Sequence, residues 1–114
     1  MAARKNPADD DMDAELREMQ VGICKAFANS TRLHMLDLLG DREWPVSELQ
    51  EKLGISKANL SQHLAVLKSA GIVRTRREGR MIHCSLAIPE VKSACQLIRD
   101  VLRVQIRHRQ KLTV

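Results

Sequence analysis

Apolar side chains recur along this chain with two different periods. Between residues 13 and 28, Leu16, Met19, Ile23 and Phe27 fall three or four positions apart and mark one face of a helix. Asn29 and Ser30 are residues that cap helices, and Leu33, Leu36 and Leu39 continue as a second helix. Gly40, free to take positive φ, is expected to end it. After a connection over 41–45, Ser47 and Gln50 stand in capping-box spacing at the head of a short third helix holding Leu49 and Leu53. Gly54 and Ile55 predict a tight turn. Ser56 then caps a fourth helix with Leu60, Leu64 and Leu67 on one face and Gly71 beyond its end.

Beyond Gly71 the period shortens to two, which predicts strands over 72–77 and 81–86 with Glu78-Gly79 as the turn. Pro89 suits the first position of a last helix running to about His108. On that helix Val91, Ala94, Cys95, Ile98 and Leu102 form one stripe, and Leu97, Val101 and Val104 widen it. The predicted order is α-α-α-α-β-β-α, a mainly α fold with a small β-hairpin. A short helix, a three-residue turn with glycine and a longer helix make a helix-turn-helix, and the hairpin after it is the wing of a winged helix-turn-helix. One domain over 13–110 accounts for these elements, and the polar, charged stretch 1–12 reads as a disordered tail. So wide an apolar face on the last helix predicts a partner helix, hence a homodimer joined through the first and last helices.

Composition narrows the class. Apolar residues make up 44% of the 114, enough for a core, but the aromatics are Phe27 and Trp44 alone. An aliphatic core of that kind suits helices better than sheets. The net charge of +5 is unevenly placed: residues 1–20 carry −3, residues 57–80 carry +5 and residues 99–111 carry +4. Blocks of positive charge favour a polyanionic partner. No apolar run approaches the roughly 20 residues of a membrane span, and the start of the chain has no apolar core of a signal peptide. Three widely spaced cysteines do not make a disulfide framework, so a cytoplasmic location is the expectation. No nucleophile–base pair, phosphate loop or paired carboxylates are present, which argues against an enzyme, and no cofactor is required.

The first positive block lies on the helix-turn-helix. Reading double-stranded DNA needs a helix that packs on one face and presents a polar N-terminal half to a major groove roughly 12 Å wide. The fourth helix offers Lys57, Asn59, Ser61 and Gln62 for this, with Ser56 and the first amides available to a phosphate. Asn and Gln bond adenine edges in bidentate fashion. Lys68 lies further along, and Arg74, Arg76, Arg77 and Arg80 crowd the wing, where arginine meets phosphates or the minor groove. His63, three residues after Leu60 at the edge of the packed face, is a base reader or a structural histidine. The competing reading is a winged helix that binds protein and leaves its arginines solvated.

At these residues the sequence resembles the ArsR/SmtB family of bacterial repressors. The resemblance is carried by Phe27-Ala28-Asn29-Ser30-Thr31-Arg32-Leu33, Val46-Ser47-Glu48-Leu49, the stretch Gly54 to Leu64, Leu67 to Val73 and Arg77-Glu78-Gly79-Arg80. It implies a homodimer on an imperfect palindrome near its own promoter, released when an inducer is sensed. The resemblance also implies which sensors are missing. Pro45 and Ser47 stand where arsenic- or cadmium-responsive members have cysteines, and Asp37 and Arg103 stand where sulfide responders do. The last helix has only His108 in place of the zinc-type ligand set. Cys24, Cys95 and Cys84 remain. Cys24 and Cys95 lie on the two helices expected to meet in a dimer, so a thiol switch on that pair is the favoured sensor; a soft-metal or metalloid site adding Cys84 is the second. Buried cysteines with no sensing role are the third reading.

Overall fold

The computed structural model describes residues 7–112. Eight elements follow in order: α1 (Pro7–Phe27), α2 (Ser30–Asp41), β1 (Trp44–Pro45), α3 (Val46–Leu53), α4 (Lys57–Ser69), β2 (Val73–Glu78), β3 (Met81–Leu86) and α5 (Glu90–Leu112). The strands form an antiparallel sheet in the order β1-β3-β2. The predicted helix-turn-helix and wing are both present.

Four local expectations are corrected. The first helix begins at Pro7, so residues 7–12 are helical rather than a tail; the remainder of that tail lies outside the described residues. Proline fits the first turn, where its missing amide has no partner to lose, and Asp9 and Asp10 complement the helix dipole there. The capping box at Ser47 does not form: α3 starts at Val46 after Pro45, with no side-chain cap. Gly40 lies inside α2 without positive φ, and a Cβ on it would stand 3.3 Å from the Lys92 side chain, so it serves close passage of α5. The hairpin turn is Gly79-Arg80, with Glu78 paired to Met81 and Gly79 at φ 61°.

The wing also has a third strand that alternation does not reveal. β1 is two residues long and holds a proline, which only an edge strand tolerates. Trp44 pins it: the indole Nε1 donates to the carbonyl of Leu38 at 3.0 Å, and the Arg42 guanidinium lies 3.7 Å above the ring.

The core is aliphatic, as the composition requires. Met35, Leu49, Leu60, Leu67, Ile72 and Cys84 are its most deeply buried side chains. Three caps fix where helices begin or end. Asn29 accepts from the amide of Arg32, Ser56 accepts from the amide of Asn59, and Gly54 closes α3 in the left-handed region. The helix α1 buries only Ala26, and α5 buries no residue. Met19 is 63% exposed, Leu97 65% and Val101 58%. No helix among the described residues is long and apolar enough to cross a membrane.

Leu49→Ala is expected to lower the free energy of unfolding by about 2–5 kcal/mol, because Leu49 is the buried residue by which α3 joins the core. Urea unfolding at one fixed protein concentration measures this. A loss below about 1 kcal/mol would mean that the core is looser than its burial indicates.

Candidate nucleic-acid interface

The helix α4 is divided by its own periodicity. Leu60, Leu64 and Leu67 are buried, while Lys57, Asn59, Ser61, Gln62 and Lys68 are exposed. Gln62 falls opposite the leucine stripe and points straight away from the core. Ser61 and Lys68 turn toward the wing, and with Lys57 they border a cleft of about 580 Å³ between α4 and the sheet. Val46, Leu60, Leu64, Thr75 and Ile82 line its floor, and Arg80 and Met81 border it at the hairpin end. Ser56 is bound to the Asn59 amide, so its hydroxyl is already engaged as a cap.

Strand alternation sorts the wing arginines into two faces. Facing pairs across the ladder are Val73 with Leu86, Thr75 with Cys84 and Arg77 with Ile82; these share the face that looks at α4. Arg74 with Ser85, Arg76 with His83 and Glu78 with Met81 share the other. Arg77 and Arg80 therefore stand on the side of the recognition helix, whereas Arg74 and Arg76 stand behind it.

Behind the wing, Arg76 is engaged by carboxylates. Its Nε donates to both oxygens of Glu43 at 3.1 and 3.0 Å, Nη2 donates to Oε1 of Glu43 at 2.6 Å, and Nη1 donates to Glu78 at 3.0 Å. These bonds raise the guanidinium pKa, and the same Arg76 holds the Glu43 carboxyl below the usual carboxylate range. His83 completes the cluster, 3.9 Å from Glu43 and 3.6 Å from Glu78. Of the four wing arginines expected at DNA, Arg76 is the one engaged by carboxylates, and its pairs brace β2 against the α2–β1 connection. Arg74 makes a 3.5 Å bond to Ser85 on the same rear face. Glu43 was not legible as a site residue, since nothing in the sequence brings it near position 76.

His63 is half-buried on the flank of α4 away from the wing, with Nδ1 3.4 Å from Nη1 of Arg32. The arrangement favours its structural role over base reading.

The cysteines do not gather. Cys84 is fully buried in the sheet opposite Thr75, and burial pushes its thiol up to about 11. Cys95 is half-buried in a small cleft between α2 and α5, beside Leu36, Asp37, Lys92 and Arg99. Burial raises its pKa, with Asp37 adding to the effect and Arg99 opposing it. Cys24 is exposed on α1 beside Arg17, Gln20 and Lys25. A site using all three thiols is thereby corrected: Cys84 faces the core, and no group of three His, Cys, Asp or Glu among the described residues is placed to hold a metal ion.

The comparisons with known proteins agree with this geometry. Residues 27–76 match the model of the helix-turn-helix domain. The transcriptional activator HlyU of Vibrio cholerae is 42% identical over 78 residues, 68% of this chain and 72% of that one. A homodimeric winged helix-turn-helix DNA-binding domain from Mycobacterium bovis, described as a possible ArsR-family regulator, superposes with a TM-score of 0.78 at 31% identity over 95% of each chain. The transcriptional repressor BigR of Xylella fastidiosa superposes at 0.69 with 29% identity, over 82% of this chain and 94% of that one.

The two faces of the wing make opposite predictions. Arg77→Ala should weaken binding to duplexes of any sequence and reduce the slope of log affinity against log salt by about one. Arg76→Ala should leave that slope within error of wild type. Equal loss of slope in both variants would return Arg76 to the DNA side.

Proposed function

The chain belongs to the ArsR/SmtB family of winged helix-turn-helix transcriptional regulators, and we propose that it acts as a homodimeric repressor released from its operator by a thiol-directed signal. The observation that carries the DNA-binding reading is the placement of Lys57, Ser61 and Arg80 around the cleft between α4 and the wing, with Arg77 on the same face of the hairpin and Gln62 exposed on the outer face of α4. Gln62 is suited to a base edge in the major groove, and Asn59 flanks it. Arg77 and Arg80 are suited to the phosphates or minor groove alongside.

The shape of the protomer supports a dimer. Its radius of gyration is 18.1 Å, against about 13 Å for a compact chain of this length. Its accessible surface is 8894 Å², against roughly 6,300 Å² for a compact monomer of its mass. The excess is carried by α1 and α5, whose apolar faces have nothing to cover them within one chain. A second copy packing on both helices would set two recognition helices about 34 Å apart, one DNA turn, and so select an imperfect palindrome.

For the signal, Cys24 and Cys95 are the candidates, because they lie on these two helices and are not sealed in the core. In a disulfide between them each thiol gives up a proton and an electron to an added oxidant, forming one S–S bond. Arsenite bridging both thiolates is the soft-metalloid alternative. Cys84 takes no part. In native protein a thiol reagent should titrate two cysteines and reach the third only after denaturation. Reaction of Cys95 should accelerate as pH rises above the ordinary thiol range, because its pKa is raised.

Fluorescence anisotropy of the reduced protein on the DNA upstream of its own gene tests the whole reading. Tight binding that is lost on oxidation or arsenite, and retained by a Cys24→Ser/Cys95→Ser variant, is the expected result. Tight binding indifferent to both treatments would keep the repressor and remove the thiol signal. No binding to any duplex would leave a protein-binding winged helix.

A further inference from the structure

The recognition helix is anchored on the side away from the wing by one forked side chain. Arg32, in the first turn of α2, turns its guanidinium back over the end of α1. Its Nε donates to the carbonyl of Ala26 at 2.6 Å, and its Nη2 donates to the carbonyl of Lys25 at 3.1 Å. These carbonyls lie in the last turn of α1, where helical partners run out. Asn29 holds the Arg32 backbone in place by accepting from its amide at 3.0 Å. The remaining arm, Nη1, reaches Nδ1 of His63 on α4 at 3.4 Å. A guanidinium only donates, so this contact requires Nδ1 as the acceptor.

Of the side chains of α1, Ala26 alone is buried in the core on which α4 packs, a small contact for setting the angle between the two helices. The space between them is an open cleft of about 550 Å³ bordered by the small residues Gly22, Ala26, Ala65 and Ala70 and by the longer Lys25 and Val66. The angle is instead spanned by the Arg32 fork, which bonds the end of α1 with two arms and α4 with the third. His63 immediately follows Gln62, so a rotation of His63 about the helix axis moves Gln62 with it.

We propose that Arg32 and His63 are positioning residues that set the tilt of the recognition helix against α1, and thereby the half-site spacing that a dimer accepts. The proposal rests on the dimeric DNA-binding reading above. If the partner subunit fixes α1, then α4 reaches its half-site at a distance decided by this link.

The test uses the full chain and a palindromic duplex selected by the wild-type protein from a randomised library. That duplex is then lengthened or shortened by one base pair between its half-sites. Wild type should discriminate against both re-spaced duplexes by at least about fivefold, the lower end of coupling between linked sites. His63→Ala should lose most of this discrimination while binding a duplex with a single half-site as wild type does. His63→Gln, which keeps an acceptor, should restore it. The nitrogen shifts of the His63 ring give a reading without DNA: a single Nε2–H tautomer in wild type, and a mixture in Arg32→Lys. Full discrimination retained by His63→Ala would overturn the proposal. So would a defect confined to one base position, which would make His63 a base reader. Selection that recovers no duplex at all would instead overturn the DNA-binding reading, and a mixed tautomer in wild type would overturn the link alone.

Discussion

The burial of Leu60, Leu64 and Leu67 on the core of Met35, Leu49 and Ile72 is the contact on which the remaining structure depends. A helix of thirteen residues has one face to bury, and committing it to these leucines leaves only Gln62 and its neighbours to point outward. Ile72 and Val73 follow directly on the same core, so the wing begins where the recognition helix ends and cannot drift from it. The relation between α4 and the wing is therefore built into one stretch of chain. Long-range elements add restraint at its two flanks: Glu43 behind the wing and Arg32 beside α4.

Much of this was legible in the sequence because it is local. The leucine spacing, the Ser56 cap, Gly54 and the polar outer face of α4 are all decided within a few residues. What was missed depends on segments far apart in the chain. The strand Trp44–Pro45 has no alternation to betray it and exists because β3 and the Leu38 carbonyl hold it. Ser47 and Gln50 have the letters of a capping box, but the chain leaves β1 straight into the helix at Val46 and gives the box no place. Gly40 looked like a helix end and is a point of close passage for α5.

The interface was legible in part for the same reason. A count of arginines on the hairpin is a property of the sequence, whereas the face each one occupies depends on register, and its availability depends on a carboxylate from another element. The sequence reading kept Arg76 and Arg77 together on the wing; the register separates them, and the binding of Arg76 by Glu43 depends on a distant segment. The cysteines show the reverse case. Cys84 lies on the strand face it shares with Ile82 and Leu86, and full burial removes it from the chemistry proposed for Cys24 and Cys95.

The bracing of Arg76 makes the wing electrically asymmetric across its thickness. Its rear carries a guanidinium already balanced by Glu43 and Glu78, while its front presents Arg77 and Arg80 to solvent. In the field of a polyanion such a hairpin feels a torque as well as an attraction, so the molecule is turned toward its productive orientation before contact. That torque acts within about one Debye length, roughly 8 Å at physiological ionic strength. It raises the fraction of encounters that lead to docking, and so shortens the search along a chromosome more than it strengthens the final grip.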